Sequence, residues 1–200
     1  MQPIARRHSA KKKAGSPRAL FALAREVDLI TPAHLGVLSK AARGYRLLGP
    51  APGAVKAASA PLTSEMSVAT AFAHIAAACL RQFRLNETAL GWSRDAEALH
   101  QARVSLRRLR SLCSICKSLF DDSRFDHLRE ELKWLTSEFG DARNIDVMID
   151  RASSEALSSR LQDARDHAYA AVEASLPSQP NVTRPADRAR AGAGPPTRAP

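Results

Sequence analysis

Between Leu99 and Phe120 the apolar residues Leu99, Ala102, Leu106, Leu109, Cys113, Cys116 and Phe120 recur three and four apart. At 100° per residue they fall in one narrow seam, the alternation of a helix that packs against other helices. That spacing excludes a strand, whose side chains repeat every second residue. Aromatics make up only 5% of the chain, and long alternating runs of Val, Ile, Thr and Tyr are missing, so an all-β fold is excluded. The expected fold is all-α: an antiparallel four-helix bundle with a disordered basic N-terminal arm and a Pro/Gly-rich C-terminal tail.

The remaining stretches arrange themselves around that seam. Residues 1–18 hold Arg6, Arg7, Lys11, Lys12, Lys13 and Arg18 with no acid, and read as a disordered basic arm. Residues 19–60 contain "ALFALAREVDLITP", an amphipathic piece stopped by Pro32, and "LSKAARGYRLLGPAPG", which runs out in a Pro/Gly linker. Residues 61–176 form the folded part. The first of its four helices takes Thr63 or Ser64 as N-cap and turns Phe72, Ile75, Cys79 and Phe83 inward. Ser93 caps the second helix, which carries the seam to about Phe120, and "DDS" caps the third, with Phe125, Leu128, Leu132, Leu135 and Phe139 as its inward face. Gly140 reads as a left-handed helix terminus and Asp141 as the next N-cap, so "FGDARN" is expected to form a tight corner. The fourth helix then starts near Ala142, buries Ile145, Met148, Ala152, Leu157, Leu161 and Ala164, and stops at Pro177. Residues 177–200 hold Val182 as their single large aliphatic and read as disorder. So abrupt a change suggests a longer domain interrupted at this point.

Beside the seam of the second helix runs a second stripe. His100, Arg103, Arg107, Arg110 and Lys117 follow the same rhythm one residue later, about a quarter turn round the helix. Arg108 projects from the other side, among Val104, Leu112, Ile115 and Leu119. A helix apolar on two sides is hemmed in, so its basic stripe is expected to open into a groove or channel. Arg129 and Lys133 repeat the arrangement on the third helix, Arg143 stands at the start of the fourth, and Arg81 and Arg84 are placed to join the same rim. Such stripes are commonly solvated flanks paired with acids of a neighbouring helix. Here residues 94–120 carry Arg94, Arg103, Arg107, Arg108, Arg110 and Lys117 against Asp95 and Glu97 alone, within a chain of formal charge +10. Intrahelical pairs cannot balance that excess.

Aligned cations in a groove with low-dielectric walls repel one another until an anion neutralises them. Single-stranded nucleic acid is normally held by aromatic platforms as well as charge, and the stripe has none; Trp92 and Trp134 lie elsewhere. Duplex DNA calls for a protruding helix. A ligand made of phosphates needs only charge and fork-shaped donors, which arginine supplies. His100 either donates to such a phosphate or is a satisfied histidine within the bundle; no nucleophile, metal or carboxylate constellation beside it points to catalysis. Asp146 and Asp150 are expected to pair with Arg143, Arg151 or the stripe rather than to hold a metal. Cys79, Cys113 and Cys116 read as reduced thiols packed in a core. No apolar run reaches the roughly 18 residues of a membrane span, and no apolar segment follows the basic start. A cytoplasmic protein is expected, with no cofactor and no membrane partner.

"EALHQARVSLRRLRSLCSICKSLF", followed by "LKWLTSEFGDARNIDVMIDR", resembles the CHAD family, the conserved-histidine α-helical domains. The signature falls on His100, Arg103, Arg107, Arg108, Arg110, Lys133, Gly140, Arg143 and Asp146, with Asn144 in place of the usual aspartate. The resemblance covers about Pro61 to Ala174. It implies an all-helical fold that binds inorganic polyphosphate along a basic channel, often at polyphosphate granules. "LFALAREVDLITP" and "SKAARGYRLL" are similar to the closing segment of a CYTH domain, but the alternating Glu-x-Glu-x-Lys strand that carries CYTH catalysis does not occur. The family's full domain resembles two four-helix bundles with the channel between them, and this chain has room for the first. The expected function is therefore non-catalytic polyphosphate binding through His100, Arg103, Arg107, Arg108, Arg110, Lys117, Arg129, Lys133 and Arg143, with a homodimer to rebuild the channel. The alternatives are nonspecific nucleic-acid binding, helped by the basic arm, and a truncated piece without activity.

Overall fold

The computed structural model describes residues 16–30, 36–120 and 122–176. Every regular element among them is helical: α1 (Pro17–Ile30), α2 (Lys40–Leu48), α3 (Val68–Trp92), α4 (Ala96–Ile115), a short 3₁₀ turn (Lys117–Leu119), α5 (Ser123–Ile149) and α6 (Glu155–Ser175). The chain divides into two units, one containing α1 and the other spanning Gly36–Leu176. The proposed basic arm before Ser16 and the tail after Leu176 lie outside the described residues. α1 leaves Phe21, Leu23, Val27, Leu29 and Ile30 exposed. No helix among the described residues is long and apolar enough to cross a membrane.

Within Gly36–Leu176 each long helix packs on the next, α3 on α4, α4 on α5 and α5 on α6, and the short connections make neighbours antiparallel. The seam read from the sequence is the centre of this array. Leu99, Ala102, Leu106, Leu109, Cys113 and Cys116 are all buried, beside Cys79, Phe83 and Leu90 of α3 and Phe125, Leu132 and Phe139 of α5. Rings close it from both ends: Phe83 meets Phe139 at 5.7 Å, and Phe120 stacks on Phe125 at 4.4 Å. All three cysteines are free and buried, and burial pushes the Cys79 and Cys113 thiols up. The segment before α3 is pinned to it. The fully buried Asn86 amide accepts from the Val55 N–H and donates to the Val55 carbonyl, both at 2.8 Å.

Helix starts follow the hydrogen-bonding rule for caps, in part at different residues from those expected. Ser67, not Thr63 or Ser64, caps α3 by accepting from Thr70 N, and Asp95, not Ser93, caps α4 by accepting from Glu97 N. Asp122 caps α5, and the side-chain hydrogen bonds from Arg124 hold its carboxyl down to about 2.

The expected corner at Gly140 does not exist. α5 runs without interruption from Ser123 to Ile149, and the turn to α6 lies at residues 150–154, with Ser154 as the new N-cap. Gly140 is a buried mid-helix residue, and its reason is tertiary. A β-carbon there would sit 3.4 Å from Arg103 Nε and 3.7 Å from its Nη2, so the bare backbone of α5 makes the seat on which an arginine of α4 rests. Moving the corner also moves the core. Leu128, Met148 and Leu157 are exposed, and Tyr169, Val172 and Leu176 of the α6 end are buried instead.

Candidate anion-binding face

On the stripe of α4, His100 and Arg103 are half-buried and Arg107 and Arg110 are exposed. Arg103 lies against Gly140, which fixes the antiparallel register of α4 and α5. At the same rise per residue in both helices, His100 stands at the level of Arg143, and Arg110 at the level of Lys133. Among the described residues, Arg103, Arg107, Arg108, Arg110 and Arg143 have no carboxylate partner. The Arg103 Nε–H is buried with no acceptor among the described residues. A donor in that position costs about 1–3 kcal/mol, a cost the molecule carries on a helix whose other stripe arginines also have no carboxylate partner among the described residues.

Arg107 also lines a surface groove between α3 and α4, together with Arg108, Val104, Ser111, Leu112 and Ile115 of α4 and Ile75 of α3. Arg107 and Arg108 therefore meet at one groove although they stand on different sides of the helical wheel. Arg108 reaches toward α3 closely enough to offset some of the burial that raises the Cys79 thiol.

The other expected site residues are placed differently. Lys117 is exposed in the 3₁₀ turn beyond Ile115; the helix has changed its winding there, so the 100° rule that put Lys117 on the stripe no longer holds. Arg129 pairs with Asp126 at 3.2 Å, and Lys133 stands 3.7 Å from Glu130, so their charges are answered within α5 itself. Arg81 and Arg84 do not join the rim. Arg81 donates to the Val37 carbonyl at 2.8 Å, and Arg84 pairs with the fully buried Glu87 at 2.8 Å. Burial raises the Glu87 carboxyl to about 7 against the pull of Arg84.

Asp146 pairs with neither Arg143 nor the stripe. It is buried, and accepts from Arg165 Nε at 2.7 Å and from the Tyr169 hydroxyl at 2.8 Å. The Arg165 guanidinium lies 4.2 Å from the Tyr169 ring centre and donates to the Arg94 carbonyl at 2.5 Å. Burial and then Asp146 push the Tyr169 phenol up. Arg94 itself is held by Asp166 at 2.8 Å and Glu173 at 3.2 Å. In the sequence the four-residue spacing of Arg165 and Tyr169, one helix face, is the only local trace of this cluster. Among the described residues no group of three or more His, Cys, Asp or Glu side chains is arranged to hold a metal ion.

A family model described as the CHAD domain matches residues 74–199, well over half of the chain. It begins within α3 and continues past Leu176. No curated protein and no solved structure matches the chain.

Proposed function

We propose, for a chain that belongs to the CHAD domain family, that the stripe of α4 and the facing side of α5 bind inorganic polyphosphate without turning it over. The observation that carries this reading is the set of unanswered cations: Arg103, Arg107, Arg110 and Arg143 have no carboxylate partner among the described residues, and the Arg103 Nε–H has no acceptor. Phosphate oxygens meet both needs at once. They neutralise cations repeated along one helix, and they accept from guanidinium forks in pairs. His100, at the level of Arg143, adds a ring N–H donor. Lys133, Arg129 and Lys117 are peripheral in this reading, since two of them already have acid neighbours and the third stands beyond the helix end. The reading carries with it the cytoplasmic, granule-associated location expected from the sequence.

The test is a titration of long-chain polyphosphate against DNA of equal charge across a salt series, with wild type and the Arg103→Ala/Arg107→Ala double variant. Wild type is expected to prefer polyphosphate at every salt concentration. The double variant is expected to bind at least about tenfold more weakly, with a salt dependence flattened by about two ions. Equal binding by the double variant removes the stripe as the site, and equal affinity for DNA replaces the reading with nonspecific nucleic-acid binding. Phosphate release from tripolyphosphate with added magnesium, lost in His100→Ala, would make the protein an enzyme.

A further inference from the structure

The groove between α3 and α4 contains something a phosphate chain cannot use. Beside Arg107 and Arg108 it has an aliphatic floor, in which Ile75 and Val104 are half-buried, Leu112 is the buried base and Ile115 is open to solvent. Ile115 is 80% exposed, and Leu119 just beyond it is 48% exposed. The opposite side of α4 is sealed in the core, so this strip, open at Ile115 and partly open at Val104, is a second apolar side of the same helix that the bundle leaves incompletely covered. Inorganic polyphosphate has no apolar atoms with which to cover it.

The groove has two requirements, aliphatic side chains for its floor and negative charge for its rim. A second copy presenting the same face meets the first and violates the second, because Arg107 and Arg108 of each copy would oppose those of the other; like charges set across an interface weaken it steeply. A groove between two helices receives a third helix, whereas strand addition needs a sheet edge, and the described residues contain no strand. We infer that this groove docks an acidic amphipathic helix of a partner protein, with its aliphatic face on Val104 and Ile115 and its carboxylates on Arg107 and Arg108. The inference does not depend on polyphosphate binding. The two sites share Arg107 alone, so the helix and polyphosphate would compete there while the rest of each site stays separate.

Two synthetic helices test it: one carries leucines three and four residues apart flanked by glutamates, and its twin has every leucine replaced by serine at the same charge. Binding to the full chain is followed by fluorescence anisotropy at moderate salt. The leucine helix is expected to bind at least about tenfold more tightly than the serine twin, and Ile115→Ser to remove about tenfold of that affinity. Ile115 is exposed, so this change leaves the fold intact, and polyphosphate affinity is expected to stay as in wild type. Arg103→Ala, conversely, should weaken polyphosphate and leave the leucine helix bound. Equal binding of the two helices, or full binding by Ile115→Ser, would overturn the inference by reducing the attraction to charge alone. Sedimentation supplies a further check. If wild type self-associates, Ile115→Ser abolishes that association and the leucine helix fails to compete with it, then the groove belongs to a second copy and the inference is wrong.

Discussion

Two regions of the bundle treat arginine in opposite ways. Where α6 packs on α5 and meets Arg94 just ahead of α4, both guanidinium groups are answered: Arg165 by Asp146, the Tyr169 ring and the Arg94 carbonyl, and Arg94 by Asp166 and Glu173. On the stripe of α4, Arg103, Arg107 and Arg110 have no such partner among the described residues, and one buried N–H has no acceptor. Both regions show the same spacing in sequence, a cation next to an apolar seam. The difference lies entirely in which acids the fold brings up to them. A paired arginine holds helices together, and an unpaired one in the same kind of setting is available to an outside anion.

The largest expected effect is on the paired side. Asp146→Ala leaves Arg165 and the Tyr169 hydroxyl buried without their acceptor, and breaking a buried pair in this way costs about 3–5 kcal/mol. Urea denaturation should show this as a lower midpoint with little change in slope. Polyphosphate affinity per folded molecule is expected to stay at the wild-type level. A loss of affinity as large as the loss of stability would erase the distinction between the two regions.

Next in size is a pH effect at Glu87, where an arginine is paired to a buried acid yet does not keep it fully charged. The Glu87 carboxyl is raised from 4.5 to about 7 by burial, against the pull of Arg84. The folded state therefore keeps the proton after the unfolded state has lost it. This contribution to stability is fully present below about 4.5 and is lost as the pH rises through about 7. At 1.36 kcal/mol per pKa unit it amounts to roughly 3 kcal/mol. Denaturation midpoints measured across that window should fall with rising pH in wild type. In Glu87→Gln this part of the slope should vanish, and an unchanged slope would assign it to other groups.

What could be read in advance divides along the same line. The seam from Leu99 to Cys116 was legible because burial along one helix depends on a period of 3.6 within a single stretch of sequence. The stripe beside it was legible for the same reason, as far as Ile115, where the winding changes. Asp146 and Tyr169 stand on different helices across a turn, and nothing local links them. Gly140 followed by Asp141 has the look of a helix end and a new cap, whereas its cause is an arginine on another helix. Local patterns report the faces of a helix; they do not report what the next helix brings to them.

A smaller effect is expected at Arg103, in direct contrast to its paired counterpart. Removing Arg165 should cost several kcal/mol for the reason given for Asp146. Arg103→Ala removes a buried donor that has no acceptor among the described residues, a gain of about 1–3 kcal/mol, and with it the packing of the side chain on α5. The two offset, so folding stability should change by no more than about 1 kcal/mol in either direction, while polyphosphate affinity falls. Thermal melts and polyphosphate titration on the two alanine variants measure both quantities. A large loss of stability in Arg103→Ala would mean that this arginine is structural after all.

Gly140→Ala gives the finest measurement of the same contrast. A glycine inside a helix is less favourable than alanine by about 0.5–1 kcal/mol, so the substitution alone would stabilise α5 if space were free. The new β-carbon would stand 3.4 Å from Arg103 Nε, at the tight edge of ordinary contact, so the guanidinium gives way only slightly. The single variant is therefore expected to gain less than the full helix preference, and the gain should be complete in the Gly140→Ala/Arg103→Ala pair. The coupling between the two changes, read from a double-mutant cycle in urea, isolates the seat of Arg103 on α5. Destabilisation that persists in the absence of Arg103 would instead mean that Gly140 is needed by the α5 backbone itself.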